Sequence, residues 1–290
     1  MSMHFIIHGR LIQHKLVQHM LRTYAPHVHV TQRVGHASAL TSSLPWETSC
    51  VLVAGGDGTL HEVIDGMMQR PVESRPPILL IPLGSGNDTA RMIGARGTLA
   101  DIQRRISAQQ SRDWDVLECT IGAEQVTRYC TNVLDVGFGG EVARRYTDRL
   151  RKLPARLGYV TATLQGFVSS KARRMSVRID DVLIDDEMLL TAVANSKWFG
   201  SGIGIAPLAK PDDGVLDITV VKNVGPLTYA RFLPDLMRGV PIRDPRIHYH
   251  SGRECTITTN EPLPIEIDGE FVGFTPIMVK VHHKAVRLLV

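Results

Sequence analysis

The chain has 290 residues, 43% of them apolar and 21% charged, with a formal net charge of +4. That length allows two domains with cores of their own, and the composition is that of an ordinary globular protein. A charge this mild, without a dense Lys/Arg run, excludes a nucleic-acid-binding tail, and the scattered Cys50, Cys119, Cys130 and Cys255 exclude a disulfide framework or a zinc spacing and fit a reducing cytoplasm.

At the N-terminus, Met1 to Lys15 lacks the basic start and long apolar core of a signal peptide. His4 to His8 reads as a first strand and Gly9-Arg10 as a turn. Ile12, Leu16 and Met20 then share one helical face. Histidines crowd this region (His4, His8, His14, His19, His27, His29, His36 and His61) without a ligand spacing on one helix face, so they read as surface or packing residues. His27 to Thr31 is a second strand, and a helix begins near Ala37.

Val51 to Ala54 is an apolar run with the character of a buried parallel strand. Gly55, Gly56 and Gly58 break it, Thr59 can cap the next helix, and Ile64, Met67 and Met68 recur at helical spacing. A strand, glycine turn and helix N-terminus point backbone N–H groups at one spot, which makes a phosphate cradle. Asp57 lies in the middle of it. A carboxylate there would repel phosphate unless a metal or a proton transfer intervenes, which suggests Mg²⁺ and chemistry; the plain alternative is a tight turn that needs glycines. Ile78 to Arg91 repeats the design: Gly84 and Gly86 permit close backbone approach, and Ser85, Asn87 and Asp88 open a helix. Two such turns after consecutive strands fall on the same carboxyl edge of a parallel sheet, where open α/β sheets bind ligands.

Leu99 to Ile106 reads as a helix and Arg112 to Glu118 as a strand. From about Gln125 strands dominate: Val126 to Val133, Met175 to Ile179, Met188 to Ala194, Val215 to Val221, Cys255 to Thr259 and Pro276 to His282. Asp180-Asp181 and Thr259-Asn260 read as hairpin turns, Gly158 to Ser169 and Leu227 to Met237 as helices, and Ala285 to Val290 as a last strand. No apolar run reaches the ~18 residues of a membrane-spanning helix. The expected fold class is α/β in two lobes. Residues 1–122 with about 285–290 form a three-layer α/β domain, and residues 123–284 form a β-rich, sandwich-like domain. Two further stretches carry acidic turns: Lys210 to Asp217, and Ile265 to Phe271, where Asp268-Gly269 is a favoured hairpin pair.

Gly55-Gly-Asp-Gly-Thr59 followed by Pro82-Leu-Gly-Ser-Gly-Asn-Asp88 resembles the paired signatures of the diacylglycerol kinase catalytic-domain family, soluble bacterial lipid kinases. Gly-Gly-Asp-Gly alone also occurs in NAD kinases and phosphofructokinases; the pair in this order is specific. The resemblance implies a nucleotide site at Thr31, at Gly55, Gly56, Asp57, Gly58, Thr59, Leu60, His61 and Glu62, and at Gly84, Ser85, Gly86, Asn87 and Asp88. It implies a Mg²⁺ site at Asp213 with the backbone carbonyls of Lys210 and Val215, all hard oxygen ligands. It makes Glu270 the general base, Asp268 either its orienting partner or a contact to metal-bound water, and Asp57 a third catalytic residue. Asp115 matches an acidic residue near the family's nucleotide site. Four places depart from the family pattern: His8-Gly9-Arg10 replaces an asparagine–proline loop, His36 a frequent aspartate, Ser85 a common threonine and Thr89 a common phenylalanine.

The function so implied is that of an ATP-dependent lipid kinase, with ATP and Mg²⁺ as cofactors. It would transfer the γ-phosphate to a hydroxyl of diacylglycerol, phosphatidylglycerol or a similar lipid admitted to an interlobe cleft beside Glu270. Such a protein would be cytoplasmic, touching the inner membrane face without a transmembrane segment or a nucleic-acid partner. The alternatives are a kinase of a soluble alcohol such as NAD or a sugar phosphate, and a non-catalytic nucleotide-binding protein. An apolar acceptor groove discriminates the first reading from the second.

Overall fold

The computed structural model describes residues 2–24, 26–145, 166 and 171–290. The chain divides into two compact units, Met1–Val116 with His283–Val290, and Leu117–His282. The expected helix at Gly158 to Ser169 lies, apart from Gly166, outside the described residues.

The first unit is built on parallel strands: β1 (Ser2–Ile7), β2 (His27–Val30), β3 (Thr48–Gly55) and β4 (Ile78–Pro82). The order is β4-β3-β1-β2, and Leu288, near the end of the chain, pairs in parallel with Ile78 on β4. Val51, Leu52, Val53 and Ala54 are wholly buried, as an apolar run sandwiched on both faces requires. Helices α1 (Lys15–Tyr24) and α5 (Leu99–Ala108) cover one face: Val17, Met20 and Ile102 pack with Phe5, Ile7, Leu52 and Leu79. Alternation sends Ile6, Val51 and Val53 to the opposite face. Helix α3 (Asp57–Met68) packs on β3, and α2 (His36–Ser42) packs on α3. A short helix, α4 (Asp88–Ile93), comes after β4. Helix α3 begins at Asp57 with Gly56 as its N-cap, so Thr59 is not the cap that its position suggested; it lies buried in the first turn.

The second unit is mainly antiparallel. It contains the end of β5 (Ser111–Ile121), β6 (Val126–Cys130), β7 (Val133–Gly137), β8 (Arg173–Ile179), β9 (Val182–Ala194), β10 (Leu216–Lys222), β11 (Ile247–Gly252), β12 (Glu254–Thr259), β13 (Pro264–Ile267), β14 (Glu270–Phe274) and the first part of β15 (Ile277–Leu289). The order is β14-β13-β7-β9-β8-β12-β15, with β10 on β9 and β11 on β10. Helices α6 (Phe138–Arg145) and α7 (Pro226–Arg238) interrupt the strands.

Several expectations are corrected here. Val126 to Val133 is not one strand: it breaks at Thr131-Asn132, whose N–H groups bond elsewhere. Thr259-Asn260 is no hairpin, because β12 pairs with β8 and β15 rather than with the next strand in the chain. Pro276 to His282 and Ala285 to Val290 belong to a single strand, β15, whose polar His282-His283-Lys284 stretch masks its continuity. Asp180-Asp181 does join β8 to β9.

Candidate active site

The two glycine turns of the first unit lie side by side. Leu83 N–H donates to the Gly55 carbonyl at 2.9 Å. A Cβ on Gly56 would stand 2.9 Å from the Cα of Gly84, and one on Gly84 would overlap the Cα of Gly56. Only a glycine pair lets these backbones meet. Asn87, in the left-handed region at φ 54°, locks the second turn: its Oδ1 accepts from Gly84 N–H at 3.1 Å and its Nδ2 donates to the Gly84 carbonyl at 2.8 Å. Gly58 and Ser85 are exposed at this edge, while Leu60 is wholly buried in the core. Of the expected nucleotide set, therefore, Gly55 and Leu60 are buried, whereas Gly58 and Ser85 are exposed and Gly56, Gly84 and Gly86 half-buried beside them.

The acids of α3 have partners that the sequence did not announce. The Asp57 carboxylate accepts from Asp88 N–H at 3.0 Å and Thr89 N–H at 3.1 Å, so it caps the N-terminus of α4. Each of its oxygens keeps a second lone pair. The Glu62 carboxylate accepts from Gly35 and Ala37 N–H, both at 2.9 Å, and so caps α2. Asp88 is buried and paired with Arg91 at 2.5 Å. Thr31 Oγ1 accepts from Gly9 N–H at 3.2 Å, tying the end of β2 to the first turn. His8 and His36 serve as local acceptors for Arg10 N–H and Gln32 N–H. Asp115 is fully buried and accepts from His283 Nδ1 at 3.0 Å and Lys284 N–H at 2.6 Å, which fixes the bend in β15.

In the second unit, β13 and β14 are joined by Asp268 and Gly269 at φ 48° and 92°, two positive values in succession as a tight hairpin of this twist demands. The Asp268 carboxylate turns inward and accepts from Thr131 N–H (2.7 Å), Asn132 N–H (2.9 Å) and Val133 N–H (3.3 Å). This anchors the hairpin to the loop before β7 and leaves Glu270, the first residue of β14, exposed to solvent. Asp213 is exposed on the loop before β10, and its Oδ1 accepts from Val215 N–H at 3.2 Å. The Asp217 carboxyl nearby is pushed up to about 6, by burial and then by the Asp213 charge, with Lys210 pulling the other way. Among the described residues no group of three or more His, Cys, Asp or Glu side chains is placed to hold a metal. What Lys210 to Val215 offers instead is the carboxylates of Asp212 and Asp213 and a run of backbone oxygens, a donor set suited to a hard cation.

Sequence reasoning missed a buried acid pair. Asp135 on β7 and Glu266 on β13 stand directly opposite each other and are almost completely buried. Burial pushes the Asp135 carboxyl up to about 7, and burial together with the Asp135 charge raises Glu266. Asp135 Oδ1 accepts from Gly140 N–H at 3.1 Å, and Glu266 accepts from Gly269 N–H at the hairpin turn. The available signal was a single acid flanked by apolar residues in each short strand. The same unit holds a small apolar pocket of about 50 Å³, partly open to solvent and lined by Phe138, Leu189, Tyr229, Phe232, Leu236 and Ile242 among others.

Comparison with known proteins bears on both units. Residues 8–119 match the model of the diacylglycerol kinase catalytic domain, and residues 132–290 match that of the YegS C-terminal NAD kinase beta sandwich-like domain. A diacylglycerol kinase of Bacillus subtilis (strain 168) is 25% identical over 255 residues, covering 87% of this chain and 82% of the relative. A Chromohalobacter salexigens protein described as "probable lipid kinase YegS-like" is 29% identical over 223 residues, covering 76% and 69%. Among solved structures, a diacylglycerol kinase from Bacillus anthracis str. Sterne superposes with a TM-score of 0.73 at 19% identity, covering 99% of this chain and 96% of that one. An NAD kinase from Archaeoglobus fulgidus in complex with ATP gives 0.60 at 12% identity, covering 100% and 94%. These two likenesses concern the fold.

Proposed function

The chain belongs to the family that joins a diacylglycerol kinase catalytic domain to a YegS-type C-terminal domain, and on that premise we propose that it is an ATP-dependent lipid kinase. It transfers the γ-phosphate to a lipid hydroxyl such as that of diacylglycerol or phosphatidylglycerol. The observation that carries this reading is the doubled glycine turn at one sheet edge, with Gly56 against Gly84 and Asp57 capping α4. Backbone N–H groups and helix N-termini converge there, which suits the phosphates of a nucleotide.

The nucleotide is held by the turns at Gly55 to Glu62 and Gly84 to Asp88, with Thr31 beside the first turn. Asp213 and the backbone oxygens of Lys210 and Val215 would hold Mg²⁺. That ion, when bound, neutralises phosphate charge. Glu270 accepts the hydroxyl proton as the lipid oxygen bonds to the γ-phosphorus and the bond to the β,γ-bridging oxygen breaks, releasing ADP. Asp268 positions Glu270 by anchoring the hairpin that carries it. Asp57 preserves the geometry of both turns by capping α4.

The NAD kinase likeness favours a second reading, a kinase of a soluble alcohol. The apolar lining of the second unit's small pocket favours the lipid, because a soluble polyol gains nothing from such a lining. The protein would then work in the cytoplasm and visit the inner membrane face. The test is transfer from radiolabelled ATP to diacylglycerol, phosphatidylglycerol, a sphingoid base and a polyprenol in mixed micelles, with NAD alongside. A labelled lipid that depends on Glu270 is the expected result; labelled NAD with no labelled lipid would overturn the reading.

A further inference from the structure

Helix α7 has two apolar faces, and the described residues cover one of them. At 100° per residue, Pro226, Leu227, Ala230, Leu233, Pro234 and Met237 fall within an arc of about 120°. Phe232 and Leu236 lie outside that arc and are buried in the second unit's core. On the outward arc Leu227 is 88% exposed, Met237 56% and Leu233 37%, and Val240 just beyond the helix is 41% exposed. Single exposed leucines are ordinary, but a contiguous stripe on one helix is not. Arg231 and Arg238 border the stripe and are exposed, and Arg243 stands on the next loop. The acids nearby, among the described residues, are Asp235, which reaches Arg238 only at 3.9 Å, and Asp244, which is paired with Arg246 at 2.8 Å.

The inner face of the same helix lines the apolar cavity through Tyr229, Phe232 and Leu236. One element thus separates an apolar cavity from an apolar, basic-edged outer surface. We propose that α7 is the membrane-docking element, lying in the head-group layer of an anionic bilayer with Leu227, Leu233 and Met237 immersed and Arg231 and Arg238 on lipid phosphates. The occupant is a bilayer because the stripe combines apolar side chains with a net basic edge, the pairing that interfacial helices use. The partner is taken from the lipid-kinase reading, but the docking is measurable without turnover.

The experiment is co-sedimentation of the full chain with vesicles of phosphatidylcholine, with and without phosphatidylglycerol. Wild type should partition to the anionic vesicles and release as salt rises. Each charge reversal, Arg231→Glu or Arg238→Glu, changes two charges and should lower partition roughly 25-fold, and Leu227→Ser with Met237→Ser should also lower it, with melting temperatures unchanged. If the double variant fails to fold, Leu227→Ser alone serves, since that side chain is almost fully exposed. The docking variants should keep turnover on a short-chain, water-dissolved acceptor and lose it on vesicle-presented lipid.

Wild type that ignores anionic vesicles, or variants that bind them as well as wild type does, overturns the proposal. So does a wild-type dimer that these substitutions split, which would give the face to a second copy. Vesicle binding lost in the variants while no lipid is ever phosphorylated would sink the kinase reading and leave the docking standing. Undiminished phosphorylation of vesicle lipid by the variants would do the reverse.

Discussion

Glu270 and Asp57 are both acids on turns, yet their surroundings give them opposite mutational signatures. Glu270 is exposed at the start of β14, so Glu270→Gln should leave stability unchanged while kcat falls roughly 10²–10⁴-fold at an unaltered KM for ATP. Near-normal turnover by Glu270→Gln on its best lipid would remove it as the base. Asp57→Ala should abolish kinase activity and, because it uncaps α4, should also cost about 1–2 kcal/mol in a urea titration. The buried Asp135 carries a pH signature of its own. Its carboxyl is raised from 3.8 to about 7, so between those values the folded chain holds a proton that the unfolded chain has released. Stability therefore falls as pH climbs through that window. Asp135→Asn keeps an acceptor for Gly140 N–H and cannot ionise. Urea midpoints compared at pH 5 and pH 8 should fall less in this variant than in wild type.

Helices α2 and α4 are seven and six residues long, too short to persist without help, and each borrows a capping carboxylate from α3. Glu62→Ala should therefore destabilise the chain by about 1–2 kcal/mol and speed amide exchange in α2 more than in α1. Uniform exchange across the two helices would show that the cap is dispensable. Borrowed caps of this kind also mark the limit of what a sequence reveals. Strands β3 and β4 are legible because they are buried on both faces and so appear as unbroken apolar runs. The glycine turns are legible because their conformation restricts residue type. Strand β14 is not: Phe271 and Phe274 are exposed, Gly273 falls between them, and no clean alternation remains. Nor is the service of Asp57, Glu62 and Asp268 as anchors to distant backbone, because a cap supplied across a fold leaves no local spacing. The apolar cavity is likewise invisible in the sequence, being assembled from α6, α7 and several strands.

At the scale of the whole chain, the first unit is discontinuous: its N-terminal 116 residues are completed by His283–Val290. Val286, Leu288 and Leu289 are buried in it, Arg75 Nη1 donates to the Ala285 carbonyl at 2.9 Å, and Val290 N–H donates to the Gln110 carbonyl at 3.0 Å. A chain ending at His282 should lose the cooperative melt of this unit and its ATP binding, and the missing eight residues supplied as a peptide should restore both in part. Full ATP affinity in the shortened chain would show that the last segment is ornamental. The arrangement also reverses the usual order of events on the ribosome, where the part made first folds first. Here the nucleotide-binding part is made first and finished late: its sheet waits, with the strand edge of β4 open, until His283–Val290 have been made and have cleared the exit tunnel. A message cut short just before the codon for His283 would thus release a product with an exposed sheet edge, marked for degradation before it could ever meet ATP.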